Sequence, residues 1–183
     1  MSRRVWRWLT GWVLGCFLAA QPAAAYSVDT GDWVLRPVAG ASVNVLRLDV
    51  ATRETPTAGM ITGVDLDYGL QGPWSLSAGL RPVLASGFLD FGTRLGAKYR
   101  WIQLDAPLLP YLGADATLAT GFPLGYGDVH FNTGVRLAVG TDYFVTRHLA
   151  VSFELGTELS WLWAPIGTAE LSQEALLGLS WRL

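Results

Sequence analysis

Side chains that carry most enzymatic and metal chemistry are scarce in this sequence. Its 183 residues include two histidines and one cysteine. His130 and His148 have no partner evident from the sequence, and Cys16 lies in an N-terminal apolar run. Asp65 and Asp67 could pair as acid and base or bind a cation, but no third ligand or substrate cleft is evident. We therefore predict no catalytic, cofactor or metal site, and a protein that is not an enzyme.

The charged side chains instead follow the spacing of β-strands, in which alternate residues face opposite sides. From Leu149 to Trp161 the odd positions are apolar or threonine, whereas the even positions are Ala, Ser, Glu and Gly. Such alternation recurs in eight segments separated by turn residues. The segments are 33–47, 60–70, 74–85, 91–103, 110–119, 129–142, 149–163 and 174–183. This pattern predicts an all-β fold, an eight-stranded antiparallel up-and-down barrel, because closure leaves no unpaired edge.

The two faces of these segments predict where the barrel lies. One face is bulky and apolar, whereas the other is small with a few long charged side chains, which suits a crowded lumen inside a transmembrane barrel. The charged side chains predicted to fill the lumen are Arg36, Asp65, Asp67, Arg81, Arg94, Lys98, Arg100, Asp115, Arg136, Glu154, Glu158 and Arg182. The tryptophans predicted to form an aromatic girdle are Trp33, Trp74, Trp101, Trp161, Trp163 and Trp181. A soluble barrel with the apolar face inward is the alternative.

The first 25 residues are predicted to be a cleavable signal peptide. Three arginines precede an apolar run over 8–20, and the A-x-A site that ends at Ala25 places cleavage before Tyr26. An uncleaved anchor helix is the alternative. Residues 26–183 would then form one barrel domain. After residue 25 no apolar segment of 18 residues remains, so no transmembrane helix is expected in that domain.

Composition excludes two further classes. Only 15% of the residues are charged whereas 51% are hydrophobic, so the chain has ample apolar surface to bury and is not intrinsically disordered. The net charge is −2, and no stripe of Lys and Arg is present to neutralise phosphates, which argues against a nucleic-acid partner. Cleavage after residue 25 would also remove the single cysteine, and with it disulfides and zinc thiolates.

The sequence resembles the small eight-stranded outer-membrane β-barrels of Gram-negative bacteria, the OmpA-like transmembrane domain and its OmpW-like relatives. The resemblance is carried by PYLG at 110–113, GVRLAVGTDYF at 134–144, LAV at 149–151 and the C-terminal alternation that ends at Leu183. It implies a location in the outer membrane, contact with its lipid, and recognition of the C-terminal strand by the barrel-insertion machinery. Leu183 departs from the terminal Phe that is usual in such barrels.

The resemblance also implies that both ends of the barrel chain lie in the periplasm. The periplasmic turns would be near 71–73, 104–109 and 143–148. The surface loops would be near 48–59, 86–90, 120–128 and 164–173.

Three functions follow from this interpretation. The leading hypothesis is a non-enzymatic outer-membrane barrel with a structural or surface-interaction role and a lumen filled by the charge network. The alternative is a narrow channel for small solutes, hydrophobic ones included. A lipid-modifying enzyme is disfavoured, because lipid A deacylase barrels carry a His-x-Ser arrangement and here Asn132 stands two positions after His130.

Overall fold

Eight antiparallel strands form one closed barrel in a computed structural model of the chain. The structure describes residues 28–48, 58–85, 87–101, 107–125, 127–163 and 168–183. The strands are β1 (Trp33–Leu48), β2 (Ala58–Gly69), β3 (Trp74–Ala85), β4 (Phe88–Arg100), β5 (Leu108–Pro123), β6 (His130–Phe144), β7 (Leu149–Leu162) and β8 (Thr168–Arg182). Each strand pairs with its neighbour in sequence, and β8 closes onto β1. The predicted all-β, eight-stranded up-and-down barrel is confirmed.

Two sequence predictions fall outside this description. The signal peptide over residues 1–25 and its cleavage between Ala25 and Tyr26 lie outside the described residues and stay predictions. In the part of the chain that is described, no helix is long and apolar enough to cross a membrane.

The predicted strand boundaries were wrong where strands meet the loops. β5 runs to Pro123 and β8 begins at Thr168, whereas the alternation suggested 110–119 and 174–183. Gly121 and Pro123 weaken the pattern at the end of β5. Pairing with the neighbouring strand holds these residues in the sheet, as in the partners Gly121 and His130. The connections on this side are therefore shorter than predicted.

The stagger of the strands fixes the tilt of the barrel. Following outward-facing register partners from Trp33 through all eight strands leads back to β1 at Val43, ten residues further along. A closed sheet with such a stagger needs strands tilted by about 35–45° to the barrel axis. Strands of 12 to 16 residues then exceed the roughly 9–11 residues that cross a bilayer.

The side chains on the outside of the barrel are apolar and exposed. Leu95, Val135 and Leu137, in the middle of β4 and β6, are 67%, 61% and 64% exposed. In the described chain the buried apolar cluster is small, consisting of Leu109, Phe144 and Ala150. The apolar face therefore points outward, which excludes the soluble alternative with an apolar interior.

Aromatic side chains collect at the two ends of the barrel. We call the end at which β1 begins and β8 ends the terminal end, and the opposite one the loop end. Trp33, Trp74, Trp101 and Trp181 lie exposed at the terminal end, and the remaining two predicted girdle residues, Trp161 and Trp163, lie exposed at the loop end.

Tyrosines join the tryptophans of the terminal end. The ring of Trp33 lies 4.7 Å from that of Tyr68. Tyr99 packs between Trp74 and Trp101, at 5.2 and 5.3 Å between ring centroids. Amphipathic rings of this kind favour the boundary between lipid and water.

Candidate functional site

Twelve buried charged side chains fill the described barrel interior, and their formal charges balance. None is more than 9% exposed. The six cations are Arg36, Arg81, Arg94, Lys98, Arg100 and Arg136. The six anions are Asp65, Asp67, Asp115, Asp142, Glu154 and Glu174. Because an isolated charge in such an interior is costly, equal numbers allow each group to find a partner.

Asp67 on β2 is the centre of the cluster nearest the terminal end. Its two carboxylate oxygens each lie 2.9 Å from Nζ of Lys98. One of them also accepts hydrogen bonds from Arg100 at 2.7 Å and from Arg36 at 3.2 Å. Arg100 makes a further hydrogen bond to the hydroxyl of Ser75. One carboxylate thus holds three cations from β1 and β4.

Arg36 and Tyr111 connect this cluster across the lumen. Arg36 on β1 donates to the hydroxyl of Tyr111 at 3.1 Å, on β5 directly opposite, and to Asp142 at 3.4 Å. Tyr111, which is fully buried, donates in turn to Glu154 at 2.7 Å. Lys98 lies over the Tyr111 ring at 5.2 Å. The chain of contacts therefore spans the barrel diameter.

Glu154 and Arg136 lie in the second cluster, further from the terminal end. Arg136 donates to Glu154 at 2.6 Å, to Glu174 at 2.7 Å and to Asp115 at 3.1 Å. Arg81 on β3 reaches Glu154 on β7, again on the opposite wall, at 3.2 Å, and Glu174 at 3.2 Å. Such multidentate arginine–carboxylate contacts are the stronger class of ion pair.

Asp65 and Asp115 complete this second cluster. Asp65 accepts hydrogen bonds from Arg81 at 3.1 Å and from Nε of Arg94 at 3.0 Å, and a terminal nitrogen of Arg94 also pairs with it. Arg94 donates to Asp115 at 3.1 Å, and Ser77 donates to the other oxygen of that carboxylate at 3.0 Å. Each of the two carboxylates therefore has several donors.

Glycines in the wall leave room for these long side chains. A Cβ atom on Gly96 would overlap the carbonyl oxygen of Ala114 and the carboxylate of Asp115, and one on Gly156 would overlap the guanidinium of Arg136. The glycines that lie in this way beneath a polar or charged lumen side chain are Gly63, Gly79, Gly96, Gly121, Gly134, Gly140, Gly156 and Gly178. The small residues of the lumen face are thus matched to the large ones.

The structure brings together ten of the twelve side chains that the sequence placed in the lumen network, all but Glu158 and Arg182. Glu158 does face the lumen, nearer the loop end, and accepts a hydrogen bond from Thr117 at 2.7 Å.

Arg182 lies apart from the buried network. Its guanidinium contacts Asp29 and Asp32 at 2.8 and 2.7 Å, at the terminal end of the barrel. Arg182 shares the parity of the lumen face, but it is the last residue of β8, and its partners are residues that precede β1.

Sequence reasoning missed Asp142, Glu174 and Tyr111. Each has the lumen parity of its strand, which is the signal that could have found it. Asp142 and Glu174 stood at the ends of their predicted segments, next to presumed turn residues, and tyrosine carries no formal charge. With the carboxylates of Asp142 and Glu174, the number of buried anions equals the number of buried cations.

His130 lies on the lumen side near the loop end, as its parity predicts. Its Nε2 is 3.0 Å from the carboxylate of Asp90, across Gly121 of the intervening strand. The Phe88 ring packs edge-on at 5.2 Å. Among the described residues, no group of three or more His, Cys, Asp or Glu side chains could hold a metal ion.

The fold and the filled interior define the class of molecule. Apolar side chains cover the outside of a closed eight-stranded barrel and polar side chains fill it, which is the arrangement of a small transmembrane barrel. Neither a protein-family model nor a curated protein sequence matches the chain.

Three solved structures with a similar fold are outer-membrane or surface proteins. The outer membrane protein OprG of Pseudomonas aeruginosa matches with a TM-score of 0.63 at 13% identity, covering 86% of this chain and 98% of that one. The N-terminal β-barrel domain of Pseudomonas aeruginosa OprF gives 0.62 at 15% identity, with 84% and 98% covered. Neisserial surface protein A gives 0.59 at 16% identity, with 84% and 98% covered. The chain has the fold of the small eight-stranded outer-membrane β-barrels.

Proposed function

We propose that this chain is a non-enzymatic outer-membrane barrel whose lumen is closed by its charge network, and that it has a structural or surface-interaction role. The observation that carries the proposal is the balanced set of six buried cations and six buried anions. A barrel that conducts needs a continuous wet path, whereas these groups pair with one another across the lumen and are buried from solvent.

Contacts between opposite walls support closure. Arg36 on β1 meets Tyr111 on β5, and Arg81 on β3 meets Glu154 on β7. Strands four apart in an eight-stranded barrel face each other, so these side chains cross the lumen. An eight-stranded barrel has an interior just wide enough to be filled by side chains.

The exposed apolar surface supports lipid as the direct partner. Bulky aliphatic side chains cover the middle of the outer face, and aromatic rings lie at both ends. The fold shared with OprG and OprF supports the outer membrane as its location. Insertion would use the C-terminal strand β8, which closes the barrel.

The non-enzymatic part of the proposal is supported by the surroundings of His130. In the described chain its contacts are a carboxylate and a phenyl ring rather than a hydroxyl nucleophile. Acyl transfer by a histidine base requires a nucleophile within hydrogen-bonding reach.

A narrow channel is the second candidate, favoured by the part of the lumen nearest the loop end. Several of the lumen-facing residues there are small and only half-buried, in contrast to the network below them: Ser42, Gly92, Gly134, Ser160 and Ser172. This part of the interior is open to solvent. A channel would additionally require the ion pairs of the network to rearrange.

Single-channel recording in planar lipid bilayers separates the two candidates. Purified, folded protein should insert and leave the current at baseline, because the network closes the lumen. Insertion is checked by recovering the protein from the bilayer-forming vesicles as a folded band on an unboiled gel. A steady conductance that changes when Arg94 or Glu158 is neutralised would contradict closure and establish the channel.

A further inference from the structure

Residues 28–32 fold into a tight turn just before β1. The amide of Asp32 donates to the carbonyl of Asp29 at 3.1 Å, and the amide of Asp29 donates to the side chain of Asp32 at 2.8 Å. Gly31 has a φ of 91°, a left-handed conformation that glycine adopts without strain. The turn is therefore specified by its own residues.

This turn is bonded to the end of β2. Gly31 donates to the carbonyl of Gly69 at 2.9 Å, and Gly69 donates back to the carbonyl of Asp32 at 2.9 Å. Thr30 donates from its hydroxyl to the carbonyl of Leu70 at 3.2 Å. Val28 is buried. The segment is thus held against one neighbour of β1.

The same turn is ion-paired to the end of β8, the other neighbour of β1. Both Asp29 and Asp32 contact Arg182, at 2.8 and 2.7 Å. The backbone of β8 is fixed at this point by two main-chain hydrogen bonds. The amide of Arg182 donates to the carbonyl of His148 at 2.9 Å, and the amide of Leu183 donates to the carbonyl of Trp33 at 2.8 Å. The turn therefore connects β2 to β8 around the start of β1.

The pairing of β1 with β8 is the seam that closes the barrel, and it is interrupted near this turn. Val34 and Leu35 pair with β8, and pairing resumes at Val38 with Gly178. Pro37 lies in the gap between them and has no N–H to donate to a ladder. The stretch of seam at the terminal end is consequently short.

We propose that residues 28–32 are a closure latch, which holds the β1–β8 seam at the terminal end and slows its opening. Arg182 is the last residue of β8, so the latch forms only after the last strand is in place. Contacts that form after closure slow unfolding more than they speed folding. The latch thus acts on the lifetime of the closed barrel, independently of whether the lumen conducts.

The test is the rate at which the folded barrel opens in SDS. Arg182→Gln removes both ion pairs and Asp32→Asn removes one of them, and each should speed conversion of the folded band to the unfolded band by about three- to tenfold. The double variant should open no faster than the faster single variant. Arg147→Gln removes an exposed cation at the same end and should leave the rate unchanged. If Arg182→Gln does not fold, Asp29→Asn removes the more exposed partner and replaces it in the test.

A second readout locates the effect. Hydrogen exchange should show faster exchange of the Gly31 and Gly69 amides in Arg182→Gln, with the amides of β5 and β6 unchanged. Opening rates equal to that of Arg147→Gln would overturn the proposal. The proposal would also be overturned if the opening rate of the double variant rose by the product of the two single-variant increases, since the two side chains would then act independently.

Discussion

Buried charges in this barrel depend on partners from other strands, and Asp67 shows this dependence most clearly. Its carboxylate faces Arg36, Lys98 and Arg100, all within 3.2 Å. One carboxylate cannot balance three cations, so burial of this set also depends on Asp142 and Glu154, which pair with Arg36 at 3.4 and 3.6 Å. The contribution of any one of them is therefore a property of the set.

We expect Asp67→Asn to destabilise the folded barrel by about 3–5 kcal/mol, because it leaves buried cations without a counter-charge. The measurement is urea unfolding in lipid vesicles, followed by fluorescence of the six tryptophans that lie after residue 25. Glu158→Gln is the matched control. Glu158 accepts one hydrogen bond from a neutral hydroxyl, so its loss should cost about 1 kcal/mol. Equal costs for the two variants would mean that the pairs around Asp67 are not what stabilises the interior.

The residues of the lumen were largely predictable, because the face of a residue follows from a local, period-two pattern. That pattern located Arg36, Asp67 and Arg136. It could not tell that Arg182, the last residue of its strand, pairs with residues that precede β1 rather than with the lumen network. One of its partners, Asp29, is 153 residues away in sequence. No periodic signal in the sequence marks either partner.

At the scale of the strand, the outer face of the barrel is the one that meets lipid. Leu137 lies in the middle of β6 and is 64% exposed. If this face lies in the hydrocarbon layer, a charge there must be taken out of water. In a soluble barrel the same position would tolerate a charge.

We expect Leu137→Arg to destabilise the barrel by about 2–4 kcal/mol in lipid vesicles. Val145→Arg is the control, because Val145 is an exposed residue of the turn after β6, where an arginine should cost about 0–1 kcal/mol. If Leu137→Arg lowers the unfolding free energy by no more than Val145→Arg does, the middle of β6 lies outside lipid.

The number, order and faces of the strands could be predicted from the sequence, but their ends could not. Alternation depends only on neighbouring residues, whereas the end of β5 at Pro123 depends on pairing with β4 up to Phe88. The start of β8 at Thr168 depends likewise on pairing with Leu162. A pattern within one segment contains no information on its partner strand.

At the scale of the whole molecule, closure is what makes the other features possible. The stagger of ten residues returns every strand to a partner, so the sheet has no edge and the barrel can cross a membrane. The same closure encloses the six cations and six anions away from solvent. A sheet left open between β1 and β8 would expose both the backbone edge and the charges.

Residence of this closed barrel in the outer membrane is tested by cell fractionation combined with gel mobility. Membranes of cells that produce the protein are fractionated, and the outer-membrane sample is run on SDS gels with and without boiling. We expect the protein in that fraction, with an unboiled band that shifts on heating, because a closed barrel resists SDS until it is heated. A protein recovered in the soluble periplasmic fraction, with the same mobility before and after boiling, would contradict the account.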